Sequence, residues 1–479
     1  MTDFISEIRK INTDGLIYHF SKKSIEMFLK HEFIDDVEYP VIQYGRRKKC
    51  VVQLSAWDIH NIEYFSIKHS NDYRSGKHVL PVPMLVDLYR DYENERSNAI
   101  SLDTMDSDEV FRVLLGMTAE QFQFQSRTSL FNNFNRNYQI LVAGENYEHR
   151  FCINSTGIIK EIFGFSLDEY ISILLIVFYL CMKDPIPLRA FNEHYKDFPK
   201  PIDIEKLEHL INYYSCTYDQ VRNSGPLLFY AKPFIKTEKN NCYMCSNIFL
   251  VAFTLANGLY WAIRDYYKNN NSQKFVYTFG LLFEDYIKDL ASTYCKKTEY
   301  DVIPQGPSKG ADFWFQLGDV RLIIEAKTGL LSISAKQQIP NTRVIDKYVE
   351  DTLKKAYTQV QSSYLAFYND SKQTAKIILL YDEFSNTVII EQSIEEIFLK
   401  DLNCFIMTIR EFEILLYLHH HNPDSRDCVL KQLFEKAQDV SGRQNIGKIL
   451  KQHNLLENKH FCGEKDYYTY FTKKLLRKE

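Results

Sequence analysis

Two carboxylates and one ammonium group, those of Asp312, Glu325 and Lys327, come from a single short segment of the chain. In that segment two apolar arms flank the pair Gly318-Asp319. A Gly-Asp pair between apolar runs favours a two-residue turn, so the segment is predicted to form a β-hairpin. The hairpin would bring the three charged groups together, and carboxylate oxygens are the ligands that Mg²⁺ prefers.

The predicted turn also sets which residues face each other. If Leu317 faces Val320, counting outward places Asp312 directly opposite Glu325, about 4.5–5.5 Å apart on one face. Two like charges at that distance repel each other unless a cation lies between them. Lys327 projects from the same face because strand side chains alternate. A divalent metal would relieve the repulsion between the two acids.

Asp312 and Glu325 could instead be exposed strand residues paired with cations, a contact that contributes little. Against this, both faces of the hairpin carry large apolar side chains, such as Phe313 on one face and Trp314 on the other. A sheet covered on both sides would leave the charged groups in a cleft. The pattern therefore favours a chemical role for them.

Length, charge and cysteine content limit the classes of protein to consider. At 479 residues the chain is too long for one core, so two or three domains are expected. The formal net charge of −4 argues against a protein that coats nucleic acid by bulk electrostatics, although local basic patches are allowed. Ten scattered cysteines and a start without a secretory signal predict a cytoplasmic protein with free thiols.

Two apolar runs, 170–182 and 248–263, are shorter than the ~20 residues that span a bilayer, so we expect core helices and no membrane. Cys242 and Cys245 form the one close cysteine pair, with Cys216 nearby in sequence. Structural zinc would need a fourth ligand, so buried thiols are the preferred interpretation.

The first region, 1–105, is predicted to be mixed α/β. Extended segments are expected at 15–20, 39–44 and 50–54, with a helix over 24–30. Four basic residues fall in the turn between two of these strands: Arg46, Arg47, Lys48 and Lys49. They form either a solvated hairpin tip or a contact to nucleic-acid phosphates, because clustered Arg and Lys supply sequence-independent affinity.

The second region, 106–270, is predicted to be mainly α-helical and to recognise a substrate or partner. Capping-box patterns occur at Thr118 with Gln121 and at Ser166 with Glu169. The polar run 268–273 is the best linker candidate, since it cannot bury apolar area.

The third region, 271–420, alternates helices and strands. An amphipathic helix over 279–290 carries Glu284 beside its apolar stripe, and a helix after the hairpin carries Lys355 and Gln359 one turn apart. Strands are expected at 376–381 and 404–408, followed by a helix over 409–418. This order predicts an α/β unit, and 421–479 is predicted to be a small helical appendage.

An acidic residue on one strand, followed by Glu-x-Lys on the next, resembles the PD-(D/E)xK nuclease superfamily, whose fold is called restriction-endonuclease-like. Here the element is Glu325-Ala326-Lys327, and the usual Pro-Asp is replaced by Ala311-Asp312. The resemblance covers about 275–418 and leaves the first 270 residues unexplained. It implies a central mixed sheet flanked by helices over 271–420.

The resemblance also implies roles for residues of the hairpin. Asp312, Glu325 and the carbonyl of Ala326 would bind Mg²⁺, for which Mn²⁺ can substitute. Lys327 would orient or deprotonate the attacking water and offset charge on the phosphate.

Two helices would complete the site. The helix before the hairpin would supply Glu284, as an indirect or second-metal ligand. The helix after it would supply Gln359, with Gln361 as the second candidate, to position the scissile phosphate. Lys355, one turn from Gln359, would contact nucleic acid.

The predicted function is a metal-dependent endonuclease that hydrolyses DNA phosphodiester bonds, of the kind found among bacterial restriction and anti-phage effectors. DNA is the expected partner, with a sensor or activating protein and a homo-oligomer or larger complex as further expectations. Two alternatives stay open: a non-catalytic interaction module on an inactive nuclease fold, and a nuclease directed at RNA.

Overall fold

A computed structural model of the chain describes residues 4–43, 46–69, 82–98, 110, 127–142, 149, 151–198, 201–237, 242–268, 272–304, 310–330, 342–368, 372–381, 387–392, 394, 401–438, 443–455 and 466–476. The helices up to residue 270 are α1 Phe4–Ile8, α2 Thr13–Lys30, α3 Ala56–His69, α4 Val82–Asn98, α5 Arg127–Leu141, α6 Ser155–Phe163, α7 Leu167–Lys183, α8 Pro187–His194, α9 Ile204–Tyr213, α10 Tyr218–Ser224, α11 Leu228–Ala231 and α12 Ile248–Lys268. The later helices are α13 Ser272–Tyr294, α14 Thr342–Tyr348, α15 Lys355–Ser363, α16 Thr387–Gln392, α17 Ile409–His421, α18 Pro423–Ala437, α19 Ile446–Gln452 and α20 Tyr467–Leu476. Two π-helical segments, Val349–Lys354 and Tyr364–Tyr368, flank α15.

The strands form three separate sheets. They are β1 Ile34–Gln43, β2 Arg46–Ser55, β3 Ser215–Thr217, β4 Phe234–Lys236, β5 Tyr243–Cys245, β6 Tyr300–Val302, β7 Phe313–Leu317, β8 Val320–Lys327, β9 Thr374–Leu380 and β10 Cys404–Thr408. The largest sheet has the order β10-β9-β8-β7-β6. Its β6, β7 and β8 are antiparallel neighbours, whereas β8, β9 and β10 run parallel. The protein is therefore a mixed α/β structure with helices packed on a mixed sheet.

The hairpin of β7 and β8 forms as the sequence predicts. Leu317 pairs with Val320, and Gly318 has a φ of 62°, the left-handed conformation that a tight turn requires and glycine adopts freely. Strands β9 and β10, predicted at 376–381 and 404–408, are buried along their whole length. Full burial is the pattern of parallel strands covered on both faces.

Several predicted elements of the first region are different in the structure. The segment 15–20, predicted to be extended, belongs to α2, which begins after Asn12 because its side chain accepts a hydrogen bond from the Gly15 amide at 2.8 Å. The four basic residues predicted in a turn, 46–49, lie within β2 instead. The wrong prediction at 15–20 arose because an apolar run with helical spacing also contains residues that favour strands.

The second region is mainly helical, as predicted. The capping box of Ser166 and Glu169 begins α7, while the pattern at Thr118 and Gln121 lies outside the described residues. A three-stranded sheet, β3-β4-β5, was not predicted, because strands of three residues are too short to give a periodic signal.

The second and third regions share one hydrophobic core. Tyr260 on α12 packs against Phe275 and Phe279 on α13, with ring centroids 5.5 and 5.0 Å apart. A single apolar cluster extends from Phe4 to Phe471 and includes the hairpin residues that face α13 and α17. The predicted boundary at 270 therefore separates two stretches of sequence but not two cores.

Among the described helices, no single one is long and apolar enough to cross a membrane. Only when α6 and α7 are taken together, with the 63° bend between them, does a pair of described helices reach the required length and hydropathy.

Candidate active site

Glu325, Ala326 and Lys327 are the last three residues of β8, which is the central strand of the five-stranded sheet. The preceding residues 322–324 are completely buried, since helices cover both faces of the sheet there. Glu325 is 1% exposed, and the side chain of Lys327 is 17% exposed. At this end of the strand the cover over the sheet becomes incomplete, so Lys327 reaches solvent while Glu325 stays buried.

Lys327 is held by two neighbours. Its ammonium group donates to Glu325 Oε1 and, at 2.9 Å, to Gln359 Oε1 on α15. The Gln359 amide in turn donates to the carbonyl of Gly310 at 3.2 Å. The predicted glutamine is therefore at the site, where it fixes the position of the lysine.

Asp312 lies half-buried beside the same strand, but not where the register predicted it. The ladder ends at Phe313 and Ile324, and the Asp312 amide donates to the Ile324 carbonyl at 2.9 Å, one residue out of step with that ladder. The predicted direct opposition to Glu325 is wrong, because a local irregularity of this kind shifts the strand by one residue. The Asp312 carboxylate nevertheless reaches the site, since its Oδ2 accepts from the Ala326 amide at 2.8 Å.

The segment that carries Asp312 is fastened to α15 at two points. Besides the bond from Gln359 to Gly310, the Ala311 amide donates to Ser363 Oγ at 2.8 Å. A Cβ at Gly310 would lie 2.8 Å from that same oxygen, so a larger residue there would displace the Ser363 hydroxyl from its bond with Ala311. Sequence reasoning missed Ser363, although its position one turn after Gln359 was a usable signal.

Glu284 lies on α13, the helix that packs against the end of β8. A Cβ built at Gly280 would be 3.8 Å from Thr328 Oγ1, so this side of α13 faces the residue that follows Lys327. Glu284 is one turn further along the same side and is half-buried. Its role as a metal ligand stays a prediction.

Three other predicted contact residues have partners outside the site. Gln361, the second glutamine candidate, accepts instead from Lys376 at 2.9 Å. Lys355 is exposed at the start of α15 and pairs with Asp351 at 2.7 Å. Lys49 is exposed and pairs with Glu38 at 2.6 Å, so this part of the basic run is at least partly neutralised.

Metal binding would depend on few protein ligands. Within the described ranges, no group of three or more His, Cys, Asp or Glu side chains is placed to hold a metal ion. Cys216, Cys242 and Cys245 are not joined in a disulfide. Mg²⁺ is commonly bound through one or two carboxylates with water and substrate oxygens completing the shell. The donor set of Asp312 and Glu325 fits that requirement.

Comparisons of this chain with protein-family models, with curated proteins and with solved structures found no match.

Proposed function

We propose that the protein is a metal-dependent endonuclease that hydrolyses DNA phosphodiester bonds, with a PD-(D/E)xK site on a restriction-endonuclease-like module. One observation carries the proposal: at the end of β8, Lys327 donates to Glu325 and to Gln359 of α15, and Asp312, just before β7, accepts from the amide of Ala326 between them. A surface arrangement of unrelated charges would not need a buried glutamate, a buried glutamine and a backbone amide to hold it together.

Asp312 and Glu325 would hold Mg²⁺, with Mn²⁺ as a substitute, and Glu284 and the Ala326 carbonyl would complete the protein's share of the ligands. When bound, the metal makes a water more acidic and stabilises negative charge on the phosphate. The burial of Glu325 strengthens its electrostatic interaction with any cation at this place, because the local dielectric is lower than in water.

Lys327 would act on the attacking water and on the phosphate. Its ammonium group is only partly exposed and is held by Glu325 and Gln359, so it is already oriented before a substrate arrives. A donor fixed in advance needs no reorganisation as charge develops in the transition state. Gln359 is thus assigned to positioning Lys327, in place of the direct phosphate contact that sequence reasoning gave it.

The setting we propose is a bacterial restriction or anti-phage effector, cytoplasmic, in which the region before 270 responds to a partner or to DNA and the region after it cuts. A nuclease directed at RNA, and a binding module without activity, are the competing functions.

The test measures cleavage of plasmid DNA, single-stranded DNA and RNA with Mg²⁺, with Mn²⁺ and with EDTA. We expect wild-type protein to cut DNA only with metal, and Asp312→Asn, Glu325→Gln or Lys327→Met to lower the rate at least about a hundredfold. Asp319→Asn is the matched control, because it neutralises an exposed acid in the turn of the same hairpin. Full activity in all three site variants would refute the assignment, and cutting of RNA alone would replace DNA as the substrate.

A further inference from the structure

We propose that Tyr381 is a positioning residue for the candidate active site, and that helix α5 acts on the site through it. The catalytic part of this inference rests on the proposed function. The structural part, a connection from the helical region to the backbone of Lys327, can be tested without cleavage.

Tyr381 directly follows β9 and binds the strand that carries the site. Its amide donates to the carbonyl of Lys327 at 2.9 Å, which continues the pairing of β8 with β9 by one residue. Its ring packs against Phe279 and Phe283 of α13, with centroids 5.0 and 5.4 Å apart. Movement of Tyr381 would therefore shift the backbone of Lys327.

The hydroxyl of Tyr381 connects this position to α5. It donates to Oδ1 of Asn137, which is 2% exposed. The Asn137 amide group donates to the Ala256 carbonyl at 2.9 Å and to Asn257 Oδ1 at 3.1 Å, both on α12. Because α12 accepts the amide hydrogens, the oxygen of Asn137 is fixed toward Tyr381.

Helix α5 is buried on several sides and contacts distant parts of the chain through three consecutive residues. Asn135 accepts from the Tyr468 amide at 2.8 Å at the start of α20, and Arg136 forms a buried pair with Glu413 on α17. Asn137 then joins α12 and Tyr381. Successive helical residues point about 100° apart, so one rigid helix contacts the C-terminal helix, α17 and the end of β9 at once.

This arrangement gives the helical region a direct mechanical influence on the site. A binding event that displaced α5 would change the hydrogen bond at the Tyr381 hydroxyl and then the backbone at Lys327. A displacement of about 1 Å in a positioned catalytic group can cost up to a hundredfold in rate. The proposed nuclease activity would then depend on the conformation of the region before 270.

The experiment compares Tyr381→Phe with Tyr286→Phe. Each substitution removes one hydroxyl group from a buried tyrosine. The hydroxyl of Tyr286, on α13, donates to Glu413 Oε1 at 2.7 Å. Only Tyr381 is bonded to the Lys327 carbonyl. We expect Tyr381→Phe to lower kcat about fivefold with KM unchanged, whereas Tyr286→Phe should lose similar thermal stability and keep its kcat.

A double-mutant cycle tests the route through α5. Asn137→Ala should lower kcat as much as Tyr381→Phe does, and the double variant should be no slower than either single variant, because both break the same bond. Asn135→Ala is the control, since it removes a buried amide from the same helix whose partners are Tyr468 and Asp466. Independent, multiplying effects in the double variant would overturn the route.

Hydrogen exchange separates this inference from the proposed function. We expect the backbone amide at position 381 to exchange about fivefold faster in Tyr381→Phe and in Asn137→Ala than in Tyr286→Phe. This expectation holds whether or not the protein cuts DNA. If wild-type protein cleaves nothing and this difference is found, only the proposed function fails. Equal exchange and equal kcat in the Tyr381 and Tyr286 variants would overturn the inference.

Discussion

The end of β8 and the junction around α5 each contain a buried glutamate paired with a basic residue, but the two pairs are built differently. At the junction, Arg136 contacts both oxygens of Glu413, at 2.7 and 2.9 Å, and both side chains are at most 2% exposed. At the strand end, Lys327 contacts one oxygen of Glu325 and remains 17% exposed. The junction pair is closed on all sides, whereas the strand-end pair has a side open to water.

Under the proposed function, this difference separates a structural ion pair from a functional one. A completely buried pair is costly to break, because the remaining charge has no water to solvate it. A pair at an opening can exchange its partner for a metal or a phosphate. Burial of the acid alone does not distinguish the two, and the exposure of the cation does.

Neutralising each glutamate tests the comparison most strongly. Glu413→Gln should lower the free energy of unfolding by about 3–5 kcal/mol, because Arg136 keeps its charge in a closed site. Glu325→Gln should change it by no more than about 1 kcal/mol, because Lys327 keeps Gln359 and solvent as partners. Urea unfolding of the two variants measures both values, and equal losses would contradict the distinction.

A second test uses another glutamate of the same helix as Glu413. Glu411 lies in the first turn of α17 in a capping box with Thr408, and its burial raises its pKa to about 7 although hydrogen bonds from backbone amides oppose that rise. A carboxyl whose pKa is higher in the folded state favours folding in its protonated form. Stability should therefore fall as the pH rises from about 4.5 to 7, by up to about 3 kcal/mol. Burial also raises the pKa of Glu63 and Glu391, so both proteins should lose stability between pH 5 and pH 8. Unfolding measured at the two pH values should show a smaller loss in Glu411→Gln than in wild-type protein; equal losses would exclude Glu411 as a contributor.

The smallest expected effect concerns the rim of the site. Lys355 lies one turn from Gln359, and its side chain is 64% exposed. Lys355→Ala should weaken DNA binding by about fivefold or less. It should also lower the slope of the logarithm of the binding constant against the logarithm of the salt concentration by about one. Lys354→Ala, which removes a lysine from a neighbouring face of the helix, is the control. Binding isotherms at several salt concentrations measure both variants, and an identical salt slope in wild-type and Lys355→Ala protein would remove Lys355 from the interface.

The sequence predicted those parts of the fold that have strong local signals. The Gly318 turn and the apolar runs of β8, β9 and β10 identified the strands, and Ser166 with Glu169 identified the start of α7. The irregularity at Asp312 has no local signal in the sequence, and the two residues before it are bonded to α15, 49 and 52 positions further along the chain.

The candidate site was predicted in its residues but not in all of its contacts. Asp312, Glu325, Lys327 and Gln359 do converge, but the bond that Lys327 donates to Gln359 joins residues 32 positions apart in the chain. The same limit applies to α5, whose asparagines are typical of an exposed helix. Their burial follows from partners such as Asp466 and Ala256, which lie more than a hundred residues away.

The shared core has a consequence for how such a protein can evolve. A segment that began at 271, without the region before it, would lose the ring contact of Tyr260 with Phe279. It would also lose the ion pair between Arg136 and Glu413. Recombination could therefore not move the segment from 271 onward into another protein unless other residues replaced the lost ring contact and ion pair. We therefore expect the two halves to have diverged together, by paired substitutions across α5 and α12.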